Sequence, residues 1–170
     1  MEHITQTFNN CKSRNRPALI PFITAGFPTP RETPDILLSM QAGGADIIEL
    51  GLPTHNPTAD GPIIQHASKT AIAHGVTPRS TIGMLRTARR RGLHIPVILM
   101  GYYSSIIEYG ERKIVTDCKI AGARRVFNRQ FASGQGRLVP GVVSCSGNEP
   151  NSPPPTLPRP HSTRNNLHLH

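Results

Sequence analysis

A chain of 170 residues with no tryptophan, 5% aromatics and 17 prolines has the length of one ordinary domain and a thin supply of core residues. Its formal net charge of +9 is uneven: residues 1–122 hold 13 Lys+Arg against 9 Asp+Glu, a surplus of 4, while residues 123–170 hold 6 against 1, a surplus of 5. No apolar run nears a membrane span and no signal-peptide core opens the chain; three cysteines (Cys11, Cys118, Cys145) without metal-ligand spacing complete the picture of a cytoplasmic protein with free thiols and no membrane partner.

In chain order, Ala18–Thr24 is a first strand, ended by Gly26 and Pro28. Thr29, Thr33 and Pro34 start a helix that runs to about Gln41 and stops at Gly43-Gly44. Ile47–Leu50, short and β-branched, is a second strand. A helix from Gly61 to about His74 carries Ile63, Ile64, Ala67 and Ala71, and ends at Gly75. Thr77-Pro78 opens another, with Ile82, Leu85 and Ala88 on one face, ended by Gly92. Pro96–Met100 is the third strand, and Glu111–Ala121 is the helix after it, ended by Gly122. This alternation predicts parallel strands with helical crossovers, an α/β fold.

From Ala123 the pattern breaks. Arg124-Arg125-Val126-Phe127-Asn128-Arg129-Gln130 stands where a fourth apolar strand is due, and Ser152-Pro153-Pro154-Pro155 and Pro158-Arg159-Pro160 follow. The expectation is an ordered part over 1–122 and a disordered, basic, Pro/Ser-rich tail over 123–170. The third strand, Pro96–Met100, is then expected to show an unpaired edge.

Chemistry concentrates in Glu49-Leu50-Gly51-Leu52-Pro53 and Ala59-Asp60-Gly61-Pro62, two carboxylates at the end of one apolar strand and in the loop after it. Burying an unpaired acid costs several kcal/mol by rough reckoning, so an acid in that setting is either paired or used. Other features carry less. Arg89-Arg90-Arg91 reads as a solvated helix terminus favoured by the macrodipole rather than a nucleic-acid patch. His161, His168 and His170 lack a supporting shell for a metal, so no metal site is assigned.

Leu19–Pro28, Gly44–Pro53 and Ala59–Gln65 together resemble the tryptophan synthase alpha subunit, and Met100-Gly101-Tyr102-Tyr103 with Tyr109-Gly110 looks like its fungal form, in which alpha and beta activities share one polypeptide. The resemblance covers about Met1 to Gly122. It implies part of a (β/α)8 TIM-type barrel, about three βα units, and the lyase step of tryptophan biosynthesis: retro-aldol cleavage of indole-3-glycerol phosphate to indole and glyceraldehyde 3-phosphate. On the same resemblance Glu49 matches the general acid/base and Asp60 the group that receives the indole N–H. Phe22 and Tyr102 match the indole-pocket walls, and read equally well as core aromatics. The implied partner is a tryptophan synthase beta portion. Pyridoxal phosphate belongs to that portion, and no cofactor is expected here.

Departures accompany the matches. The loop between the carboxylates is Thr54-His55-Asn56-Pro57, without the family's aromatic and acid, and Tyr103-Ser104-Ser105 replaces Tyr-Asn-Pro. The Gly-rich loops that hold the substrate phosphate in the family come after its late strands, and Gly134-Gln135-Gly136 is a poor substitute. The expected outcome is a truncated domain with impaired or absent activity. A non-catalytic remnant serving at most as a binding partner is the alternative. A nucleic-acid role for the basic tail is disfavoured by its lack of interleaved aromatics.

Overall fold

The computed structural model describes the backbone of residues 2–131 and 138–144, and side chains over 3–126. Eleven elements follow in order: α1 (Glu2–Ser13), β1 (Phe22–Thr24), α2 (Thr33–Ala42), β2 (Ile48–Gly51), α3 (Pro62–Ala73), α4 (Pro78–Arg90), β3 (Val97–Tyr102), α5 (Tyr103–Tyr109), α6 (Glu111–Ile120), β4 (Arg125–Phe131) and β5 (Leu138–Ser144). The strands form one sheet in the order β1-β2-β3-β4-β5, the first four parallel and β5 antiparallel to β4. The expected α/β alternation holds, with α1 and α5 added to it.

Local chemistry sets the helix boundaries. At the start of α4, Thr77 Oγ1 accepts from Ser80 N at 3.2 Å and Ser80 Oγ accepts from Thr77 N at 2.8 Å, a reciprocal cap with Pro78 following. The face of α4 carrying Ile82, Leu85 and Ala88 is buried, as the 3.6-residue period requires. Gly92 then turns the chain at φ 105°, a left-handed conformation that suits glycine.

The core has two sides. Ile48, Leu50, Val97, Leu99 and Val126 point from the sheet towards the helices and pack with Leu37, Leu85 and Ile114. Alternation sends Ile47 and Ile98 to the other face, where Ile4 of α1 packs over them beside Met100.

Two expectations change. The sheet crosses the boundary set at Gly122/Ala123: β4 pairs with β3 through five register partners, from Ile98↔Arg125 to Tyr102↔Arg129, so β3 has no free edge. Buried parallel strands read as apolar runs, and Arg125-Val126-Phe127-Asn128-Arg129 does not. Backbone pairing is indifferent to that pattern. Arg124 N donates to Val97 O at 2.9 Å, and fully buried Val126 anchors the strand on its helix-facing side. Residues 132–137 and 145–170 of the expected tail lie outside the described residues.

The second change concerns Arg89. It is no solvated terminus. Its guanidinium donates to Leu93 O at 2.9 Å, Ile95 O at 2.7 Å and Gly122 O at 2.9 Å, tying the end of α4 to the turns before β3 and β4. Burial, with Arg124 nearby, lowers it to about 10, so it remains charged at neutral pH. Arg91 pairs with Asp35 on α2, and Arg90 is exposed.

Candidate active site at the carboxyl end of the sheet

Glu49 sits between Ile48 and Leu50, both fully buried on the helix side, so it belongs to the opposite face of β2 and is partly buried there. Its register partners are Phe22 on β1 and Ile98 on β3. Two residues on, the same face carries Gly51. A Cβ there would stand 2.6 Å from Phe22 Cζ, so glycine lets the ring lie across the strand.

Tyr102 ends β3 on this face. Its hydroxyl donates to Asp60 Oδ2 at 3.0 Å and accepts from Ala59 N at 2.9 Å. The loop it meets is pinned elsewhere as well. Thr54 N donates to Ser68 Oγ at 2.9 Å, and Gln65 Nε2 donates to Asp60 O at 2.8 Å. Thr54 and Pro57 are buried while His55 and Asn56 face solvent.

Phe22, Thr24, Leu52, Asp60, Met100 and Tyr102 line a cleft of about 20 Å3, room for a single water. Three of the four expected residues therefore converge. Glu49 does not line the cleft. It lies one layer below on the same face, two residues or about 7 Å back along β2 from the level of Gly51 and Met100. Among the described residues its carboxylate has no hydrogen bond or ion pair.

Sequence reasoning missed Thr24 and Arg125. Thr24 follows Phe22 by two residues, so strand alternation was the available signal. Arg125 could not be found while its segment read as tail. The register Glu49↔Ile98↔Arg125 puts it in Glu49's row two strand spacings away, about 10 Å, which makes it the cation of that row.

The family model described as tryptophan synthase alpha chain matches residues 8–127, more than half of the chain. The chain belongs to the tryptophan synthase alpha family. It is 49% identical over 122 residues to the tryptophan synthase of Saccharomyces cerevisiae, covering 72% of this chain and 17% of that protein. It is 45% identical over 121 residues to the tryptophan synthase alpha chain of Albidiferax ferrireducens, covering 71% of this chain and 44% of that one. Among solved structures, the alpha subunit from Legionella pneumophila superposes with a TM-score of 0.71 at 36% identity, over 74% of this chain and 48% of that one. The chain thus spans less than half the length of these alpha relatives. The expected α/β part-barrel stands, extended by a fourth parallel strand. Among the described residues no group of three metal-ligating side chains occurs, and no helix is long and apolar enough to cross a membrane. His161, His168 and His170 lie outside the described residues.

Proposed function

We propose that this chain carries the proton-transfer and indole-facing part of a tryptophan synthase alpha-type lyase site. The observation that carries the reading is the convergence of Phe22, Asp60 and Tyr102 on one cleft, with Phe22 the register partner of Glu49. In the reaction the bond between indole C3 and the glycerol carbon breaks. Its electron pair stays with the ring, C3 takes up a proton, and a glycerol hydroxyl loses one as the aldehyde forms. Glu49 is the proton carrier. Asp60, aimed by Tyr102, accepts the indole N–H as positive charge develops on the ring, and Phe22 and Tyr102 flank the ring plane. A positioned acid/base is worth on the order of 10²–10⁴ in rate. The step needs no cofactor. Pyridoxal phosphate belongs with the beta partner that consumes the indole, in the cytosol.

The 170-residue chain on its own turns over far more slowly than a complete alpha subunit. No Gly-rich phosphate cradle occurs among the described residues, and remote phosphate binding is what drives a substrate into position against its acid. The small cleft favours the second reading, a non-catalytic relative. Indole release from indole-3-glycerol phosphate by purified protein and by Glu49→Gln decides. Slow release abolished by the substitution supports the lyase. Release absent in both, with indole still bound, supports the second reading.

A further inference from the structure

The helical side of the sheet, opposite the face of Glu49, holds a groove that the lyase site does not use. Arg79, Ile82, Gly83 and Arg86 recur at helical spacing and form one stripe of α4. Tyr109, Lys113 and Asp117 follow each other at four-residue intervals from the end of α5 along α6. Between the stripes lies a volume of about 390 Å3, within the size range of small-molecule sites.

Its charges do not balance. Arg79, Arg86 and Lys113 face one carboxylate, Asp117, which already accepts the Tyr109 hydroxyl at 2.6 Å. None of the three cations is in an ion pair among the described residues. Lys113 Nζ lies 5.0 Å from the Tyr109 ring centroid, which holds the ammonium at the groove rather than in open solvent. Burial first, and then the Asp117 bond, push the Tyr109 hydroxyl up to about 12, so it stays a neutral donor to Asp117 across the physiological range. Midway between the two arginines stands Gly83, where a Cβ would meet nothing within 4 Å, so the floor there is open. Seven residues of helix separate Arg79 from Arg86 by about 10 Å along the axis, a span that two long side chains can close from opposite ends.

We propose that this groove binds a small phosphoryl-bearing anion, the two arginines forking onto it from opposite ends and Lys113 closing from α6. Exposed Ile120 at the rim leaves an apolar wall for an organic body on such a ligand.

The full chain is titrated with inorganic pyrophosphate at about 0.15 M salt, where longer-range attraction is screened, and followed by amide and tyrosine-ring resonances. Saturable shifts are expected at Gly83, Tyr109 and Lys113, with affinity falling about tenfold in Arg79→Gln and in Arg86→Gln. Arg31→Gln, an exposed cation elsewhere, should leave affinity unchanged. All three substitutions are at exposed sites and spare the core. Absence of saturation in the millimolar range overturns the proposal. So does an equal loss in Arg31→Gln.

Discussion

Tyr102 engages two groups of the loop after β2 at once, donating to the Asp60 carboxylate and accepting from the Ala59 N–H. Tyr102→Phe removes both contacts with little change in shape. The expected result is a loss of about 1–2 kcal/mol in urea unfolding together with weaker indole binding; stability and affinity both unchanged would show that the loop holds itself. A second residue-scale prediction concerns Asp46. Its carboxylate is held well below the usual range, first by the Arg16 ion pair and then by the Leu19 N–H. A folded-state shift downward means that ionised Asp46 stabilises above its unfolded value of about 3.9, and that this is lost as pH falls toward the folded value. The gap in urea midpoint between the native chain and Asp46→Asn should therefore be full at neutral pH and shrink below about pH 4. A gap constant with pH would assign the effect to packing. Glu49 and Asp60 were singled out through the family resemblance of the motifs around them, since an acid at a strand end taken alone is more often a salt-bridge partner or a helix cap. The ties of Arg89 were not legible, since an arginine run at a helix end reads the same whether its members face water or three carbonyl oxygens.

Among elements, α4 depends on that arginine for its docking. Arg89→Met keeps the apolar stem and removes every donor, leaving the carbonyls of Leu93, Ile95 and Gly122 without the guanidinium. A loss of about 2–3 kcal/mol by denaturant unfolding is expected, and a loss below about 0.5 kcal/mol would mean that water replaces the bonds. The fourth strand gives a sharper test. Arg125 and Arg129 stand in a segment paired on both sides, to β3 and to β5. Trypsin should cut after them slowly compared with Arg14 or Arg31, which are exposed and outside any strand. An early fragment ending at Arg125 would show that β4 frays from the sheet. The strand escaped sequence reasoning because arginine, asparagine and glutamine interrupt its apolar residues, whereas main-chain pairing to β3 and β5 and the buried Val126 hold it in the sheet.

For the molecule as a whole, the three front strands and their crossovers were readable from periodicity and glycine punctuation, and the barrel ancestry from the ordered motifs around Glu49 and Asp60. The direction of β5 was not readable, because strand polarity depends on the connection and not on strand composition. That direction has a consequence for any attempt to restore activity by adding the later part of a barrel as a separate fragment. In a (β/α)8 barrel every strand is parallel to its neighbours, so the fifth strand must pair with the outer edge of the fourth. Here that edge is taken from Arg125↔Ser144 to Phe131↔Leu138 by a strand of the same chain running the other way. An incoming fragment competes with an intramolecular tenant at high effective concentration. Complementation should accordingly improve when β5 is deleted, and the chain that looks less complete should be the better acceptor.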